Sequence, residues 1–184
     1  MTIIGATQPM EKRHRFPYRW MLVAPLMAIS VGIFLSSCSP GSATTPAPSF
    51  ELANQRGETV SPSQFRGQVV ALTFLYAYCP VTCPLYVAKM HQAMASIPTL
   101  QDKVAIVVIT VDPDRDTPEI LRTYTKDWPA NWHFLTGTSG QLKTVWENYS
   151  IFVQKEANEA GSQKEHGGYE VIHTAKVVLI DTQG

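Results

Sequence analysis

The stretch Val69-Val70-Ala71-Leu72-Thr73-Phe74-Leu75-Tyr76-Ala77-Tyr78-Cys79-Pro80-Val81-Thr82-Cys83-Pro84 decides the fold. From Val69 to Tyr76 only Thr73 is polar, and a short β-branched run of this kind suits a strand covered on both faces. Pro84 fits the first turn of a helix, and Val87, Met90, Met94 and Ile97 follow at helical spacing until Pro98 ends the pattern. The unit is therefore strand, cysteine-bearing turn, helix. Met90 and Met94 at that spacing read as core packing rather than as metal relays.

The same alternation continues downstream. Val104 to Val111 is apolar except for Thr110, and Val177 to Ile180 is apolar throughout. Both read as buried strands. A second helix is expected from Pro118 to about Asp127, opened by Asp116 or Thr117, and a third from about Gln141 to Tyr149. Trp132–Leu135 and Ile151–Gln154 are weaker strand candidates. Phe50–Ala53 and Thr59-Val60 flank Asn54-Gln55-Arg56-Gly57, a hairpin signal. Residues 155–168 are polar and carry Gly161, Gly167 and Gly168, which reads as a loop or flexible hairpin. Alternating strands and helices imply an α/β layer with at least one parallel strand pair.

The 184 residues carry 15 basic and 15 acidic side chains, a formal net charge of 0. A basic nucleic-acid-binding surface is therefore not expected. The charge is unevenly placed. Lys12, Arg13, Arg15 and Arg19 precede a mostly apolar run, Trp20 to Leu35, that spans about 24 Å as a helix against a hydrocarbon core of about 30 Å. Basic residues, a short apolar run and small residues before a break read as a signal peptide, residues 1–37. Leu35-Ser36-Ser37-Cys38 resembles the lipobox of bacterial lipoproteins, which implies a lipid-modified Cys38. Residues 38–49 hold no charge and no large apolar side chain, so they read as a tether. The remainder carries 11 basic and 14 acidic side chains. The folded unit is expected over 50–184. The ending Asp181-Thr182-Gln183-Gly184 looks like the start of a turn, which suggests a fragment that lacks a hairpin partner for Val177–Ile180.

Cys79 and Cys83 lie four residues apart at a strand–helix junction, on one face if that turn is helical. The partial positive charge and unpaired amides of a helix N-terminus favour thiolate over thiol. Such a pair either forms a disulfide or binds a soft metal. Further ligands must come from His91, His133, His166 or His173. His91 is expected on the outer face of the first helix, His133 in a weak strand and His166 in the polar loop. His173 stands just before the last apolar run and is either an ordinary loop histidine or a ligand. Two sulfurs and one imidazole suit copper(I), which tolerates low coordination. Zinc prefers four ligands and would need His166 or water as well.

The chain resembles the Sco/SenC family, the thioredoxin-like copper proteins of cytochrome c oxidase assembly. The resemblance rests on Phe65-Arg66-Gly67-Gln68-Val69-Val70, on Cys79-Pro80-Val81-Thr82-Cys83-Pro84, on Val111-Asp112-Pro113-Asp114-Arg115-Asp116-Thr117-Pro118-Glu119, and on His173 followed by Val177-Val178-Leu179-Ile180-Asp181. It implies a thioredoxin-like three-layer α/β sandwich with an N-terminal β-hairpin extension, here lacking the last hairpin strand and the C-terminal helix. It implies a copper ion held by Cys79, Cys83 and His173. It also implies delivery of copper to the CuA site of cytochrome c oxidase subunit II, or reduction of that subunit's cysteines, served by a copper donor and a thiol reductant; the lipobox-like segment implies a lipid anchor on the extracytoplasmic, periplasmic face of the envelope. Asp112 is expected to face the metal side and steer a partner, whereas Asp114 and Asp116 read as turn residues.

This chain departs from the family pattern where Val81 and Ile172 replace aspartates common between the cysteines and before the histidine. Leu75, Ala77 and Tyr78 replace small or polar residues ahead of the first cysteine. These changes keep the implied ligands and make their surroundings more apolar. Two rival readings use the same residues. One is a thiol–disulfide oxidoreductase acting through a Cys79–Cys83 redox disulfide, and the other is a copper or redox sensor. Thioredoxin-type enzymes carry two residues between the cysteines and a cis-proline opposite them. This chain has three residues there and no proline after Pro129.

Overall fold

The computed structural model describes residues 45–157 and 168–184. Cys38, His166 and the leader lie outside the described residues. The folded unit runs over Thr45–Gly184. Its strands are β1 (Leu52–Asn54), β2 (Thr59–Val60), β3 (Val69–Leu75), β4 (Val104–Thr110), β5 (Trp132–Thr136), β6 (Val153–Ala157), β7 (Tyr169–His173) and β8 (Val177–Ile180). Its helices are α1 (Thr82–Ala95), α2 (Pro118–Tyr124) and α3 (Ser139–Asn148), with single 3-10 turns at Pro62–Phe65 and Pro98–Lys103.

Six strands form one sheet in the order β2-β1-β5-β4-β3-β8. β4 pairs in parallel with β3 and with β5, while β1 and β8 run antiparallel to β5 and β3. The parallel core follows from the apolar runs. Leu72, Phe74, Val107, Val108 and Ile109 have no exposed surface, and burying a side chain of this kind contributes about 1.5–3 kcal/mol. Met94 is buried and Met90 half-buried against this core. β8 differs from its sequence reading. It is the outer strand on its side of the described sheet, and Val177 and Leu179 are 49% and 73% exposed. Only one of its faces is covered, because no described element packs over the other.

Element ends moved for local reasons. α1 opens two residues before Pro84, which becomes its third residue; an amide there has no intrahelical partner, so proline costs little. Thr117, not Asp116, caps α2 by accepting from the Ile120 amide. Thr138 and Gln141 form a capping box that starts α3 two residues earlier than its apolar pattern. β6 and β7 make a separate two-stranded sheet. Its strands are polar, and most of their residues lie at the surface. β6 begins two residues after Ile151 and is longer than expected, and β7 carried no strand signal. His173 is therefore the last residue of a strand and not part of a loop.

The loop that follows β4 is pinned beneath the loop that follows β3. Both carboxylate oxygens of Asp116 accept from the Ala77 amide at 3.2 Å, and one accepts from the Thr110 hydroxyl at 2.5 Å. Asp116 is fully buried. Burial pushes its carboxyl up to about 7, against those donors. A carboxyl raised on folding binds its proton more tightly in the folded state. Stability is then fullest below the unfolded value and falls as pH rises toward 7. Measured by urea unfolding between pH 4 and pH 8, the stability of the wild type relative to Asp116→Asn is expected to decline as pH rises. A difference that stays constant across that range would remove Asp116 as a contributor.

Candidate metal centre

β3 ends at Leu75, and Tyr76 to Val81 carry the chain across the sheet edge into α1. Cys79 lies on this connection, and Cys83 is the second residue of the helix. Val81, in the N-cap position, supplies no side-chain acceptor. The sulfur of Cys79 fills that role by accepting from the Cys83 amide at 3.3 Å. The local sequence explains this. No Ser, Thr, Asp or Asn precedes Thr82 at the cap, so an i−4 sulfur is the acceptor within reach of the first turn.

The two cysteines are free thiols, with Cys79 half-buried and Cys83 buried. Their protonation is unequal. The Cys83 thiol donates to the Cys79 sulfur, and the amides of Cys83, Val81 and Thr82 also point at it. Together they bring Cys79 down to about 5 despite its burial. Cys83 moves the other way, because its proton is engaged by Cys79 and its charge would be desolvated. The pair is a thiolate with a thiol behind it.

His173 ends β7 opposite Val153. Its Nδ1 lies 3.1 Å from the Thr174 carbonyl oxygen. A carbonyl only accepts, so Nδ1 carries a hydrogen, and in the neutral ring the lone pair is then on Nε2. The Tyr76 ring meets the imidazole edge-on, with centroids 6.1 Å apart and planes at 83°. Tyr76 is itself raised to about 12, first by burial and then by the Cys79 charge.

One cavity of about 300 Å³ joins these groups. Cys79, Cys83, His173 and Tyr76 line it, with Val81 and Ile172 among its other walls. Val81 is 62% exposed and Ile172 46% exposed, so part of the cavity's apolar lining also faces solvent. Among the described residues no three His, Cys, Asp or Glu side chains stand close enough to hold an ion as placed. The donors themselves suit a soft ion: one thiolate, one thiol that can lose its proton, and an imidazole nitrogen left free by its own tautomer.

The other candidates lie elsewhere. His91 is exposed and stacks on Trp132 at 4.2 Å. His133 sets its Nδ1 3.2 Å from Arg56 and packs edge-on against Phe65. Burial lowers its pKa. Asp112, the residue expected to steer a partner, has a side chain with no exposed surface; it pairs with Arg115, accepts from the Tyr169 hydroxyl at 2.7 Å and lies 3.6 Å from Lys155. The sequence reading passed over Arg115, Tyr76 and Tyr169. Arg115 stood in the quoted acidic run, but nothing local showed that its guanidinium would lie 3.9 Å from the centroid of a ring 54 positions away.

A profile of the SCO1/SenC family matches residues 39–184. A SCO2-like protein of Rickettsia prowazekii is 31% identical over 135 residues, 73% of this chain and 64% of that protein. The chain therefore spans less than two thirds of this relative's length. Among solved structures, copper-bound ScoI of Bradyrhizobium japonicum aligns with a TM-score of 0.67 at 26% identity, covering 76% of this chain and 85% of that one. BsSco, a member of the Sco family of cytochrome c oxidase assembly proteins with an identified disulfide switch, aligns with a TM-score of 0.57 at 27% identity over 77% and 80% of the two chains. The mixed α/β sandwich observed here is the thioredoxin-like fold of those structures, as the sequence resemblance implied. The length of the profile match and the agreement in fold lead to one conclusion: this chain belongs to the SCO1/SenC family.

Proposed function

We propose that this protein is an extracytoplasmic copper chaperone, tethered to the membrane through a lipidated Cys38. In this reading it carries one copper ion on Cys79, Cys83 and His173 and passes it to the CuA site of cytochrome c oxidase subunit II. The observation that carries the reading is the single cavity lined by both sulfurs and an imidazole with a free Nε2. Likeness to a copper-bound ScoI supports the choice of ion. Copper is cargo, so low coordination is an advantage: an incoming thiolate or imidazole of the client can join the ion before the carrier's ligands leave. Loading by both sulfurs expels the Cys83 proton, and affinity therefore rises with pH.

A second reading has its own observation. A thiolate at Cys79 with a protonated Cys83 behind it is the starting state for reduction of a disulfide. The Cys79 sulfur attacks the client disulfide and releases one client thiolate. Cys83 then loses its proton and attacks the mixed disulfide, which releases the second client thiol and leaves Cys79–Cys83 oxidised. An external thiol reductant restores the dithiol. The switch identified in BsSco supports this chemistry as an accompaniment to copper carriage. Both functions need the reduced pair, so oxidation blocks loading.

Anaerobic titration of the reduced protein with copper(I) against a competing chelator tests the carrier. Cys79→Ser, Cys83→Ser and His173→Ala are each expected to abolish stoichiometric binding, while His91→Ala and His133→Ala retain it. Full binding by His173→Ala would refute the three-ligand site. The thiol pair has a separate test in copper-free protein. The rate of Cys79 alkylation by iodoacetamide is expected to titrate with a midpoint near 5. Cys83→Ala removes the foremost donor to that sulfur, and the midpoint is expected to rise toward the ordinary thiol range.

A further inference from the structure

His173 reaches the copper cavity on a strand that shares no hydrogen-bonded edge with the main sheet. Among the described residues β6 and β7 pair only with each other, and the main sheet is rejoined at Val177 in β8. Side chains must therefore hold this hairpin in place. At its His173 end, Thr174 and Phe152 exchange two hydrogen bonds of 3.0 Å, one of them through the Thr174 hydroxyl, which closes the hairpin on itself. At its other end Tyr169 meets the loop after β4. Its hydroxyl donates to Asp112 at 2.7 Å, its carbonyl accepts from Arg115 at 3.1 Å, and the Arg115 guanidinium carbon lies 3.9 Å from its ring centroid. Lys155 of β6 adds an ion pair to Asp114 and lies 4.9 Å from the same ring centroid.

Arg115 faces the cysteine loop as well. Its guanidinium carbon is 5.7 Å from the Tyr76 ring centroid and 5.4 Å from that of Tyr78, the residues three and one before Cys79. The buried Asp112 holds the guanidinium between these rings through an ion pair with Nε. One cation thus bears on the hairpin that carries the imidazole and on the loop that carries the first sulfur. It lines no part of the cavity itself.

We propose that Arg115, anchored on Asp112, is a positioning residue for metal binding: it clasps Tyr169 of the histidine hairpin against Tyr76 and Tyr78 of the cysteine loop, and so sets whether His173 can join the two sulfurs on one ion. The proposal rests on the copper-carrier reading above. It assigns a function to the Asp112–Arg115 pair that faces inward. The guanidinium makes three contacts at once: one N–H donates to the Tyr169 carbonyl, Nε pairs with Asp112, and its carbon lies over the Tyr169 ring, 3.9 Å from the centroid. Lysine matches the charge but not this arrangement.

The test compares the wild-type protein with Arg115→Gln, Arg115→Lys, Tyr169→Ala and His173→Ala. Arg115→Gln risks folding, because it leaves Asp112 as a buried charge without its partner. Tyr169→Ala keeps that ion pair and the Arg115 bond to the backbone carbonyl, and removes the ring contact and the hydroxyl bond to Asp112. In folded protein, Arg115→Gln and Tyr169→Ala are each expected to weaken copper(I) binding by about 10- to 100-fold, the usual effect of removing a group that orients a ligand. X-ray absorption of the loaded variants is expected to show both sulfurs retained and the imidazole nitrogen contribution reduced. Arg115→Lys is expected to restore binding only in part. A copper-free readout runs alongside. Proton cross-relaxation between the Tyr76 and His173 rings is expected in the wild type and lost in Tyr169→Ala. Wild-type affinity with an unchanged nitrogen signal in folded Tyr169→Ala would overturn the positioning role, as would persistence of the ring contact there. If wild type and His173→Ala instead bind copper alike, the three-ligand carrier fails, and the ring contact alone then decides whether Arg115 holds the hairpin.

Discussion

The cysteine site rests on the hydrogen bonds that converge on the Cys79 sulfur, foremost from the Cys83 thiol and then from the Cys83 amide at 3.3 Å. The first turn of a helix presents amides that its own backbone cannot satisfy. Here a side-chain oxygen is missing from the cap, and a sulfur takes its place. The same contact terminates the connection from β3, aligns the two cysteines four residues apart and stabilises charge on the outer one. A carboxylate or hydroxyl cap would open the helix equally well and leave Cys79 a less acidic thiol.

Around that contact the site is built from unequal halves. The cysteine half grows from a largely buried parallel strand pair, and Asp116 ties the connecting loop to the neighbouring one through the Ala77 amide. The histidine half is held more lightly, on a polar two-stranded ribbon fastened by Arg115, Lys155 and Tyr169. This division is consistent with the ligand set standing around one cavity without closing to coordination distance. Under the proposed copper carriage, a sulfur pair on the core with a separately mounted imidazole would supply a ligand that can be gained or lost without disturbing the core.

The apolar residues that replace the expected aspartates give the site a distinct character. Val81 and Ile172 line the cavity while keeping much of their surface in solvent. Asp112 and Asp114 are paired with Arg115 and Lys155, whereas Glu170 of β7 is exposed and lines the cavity.

Much of this was legible in the residues. The runs at Val69–Tyr76 and Val104–Val111 specify buried neighbouring strands, because each is too apolar to face water on either side. Cys79-Pro80-Val81-Thr82-Cys83-Pro84 announces a strand-to-helix turn with two sulfurs on it. The ribbon of β6 and β7 was not legible, since polar strands carry no burial pattern and exist only through pairing with each other. Nor was the role of Asp112, whose burial depends on Arg115 and Tyr169 arriving from elsewhere. The sequence by itself determined the parallel core and the cysteine pair, because local apolarity and helix-end chemistry act within a few residues. Only the tertiary structure decided that His173 would share a cavity with those sulfurs, and which side chains would hold it there. Such contacts join segments up to about a hundred positions apart, and their energy resides in packing that no local pattern records.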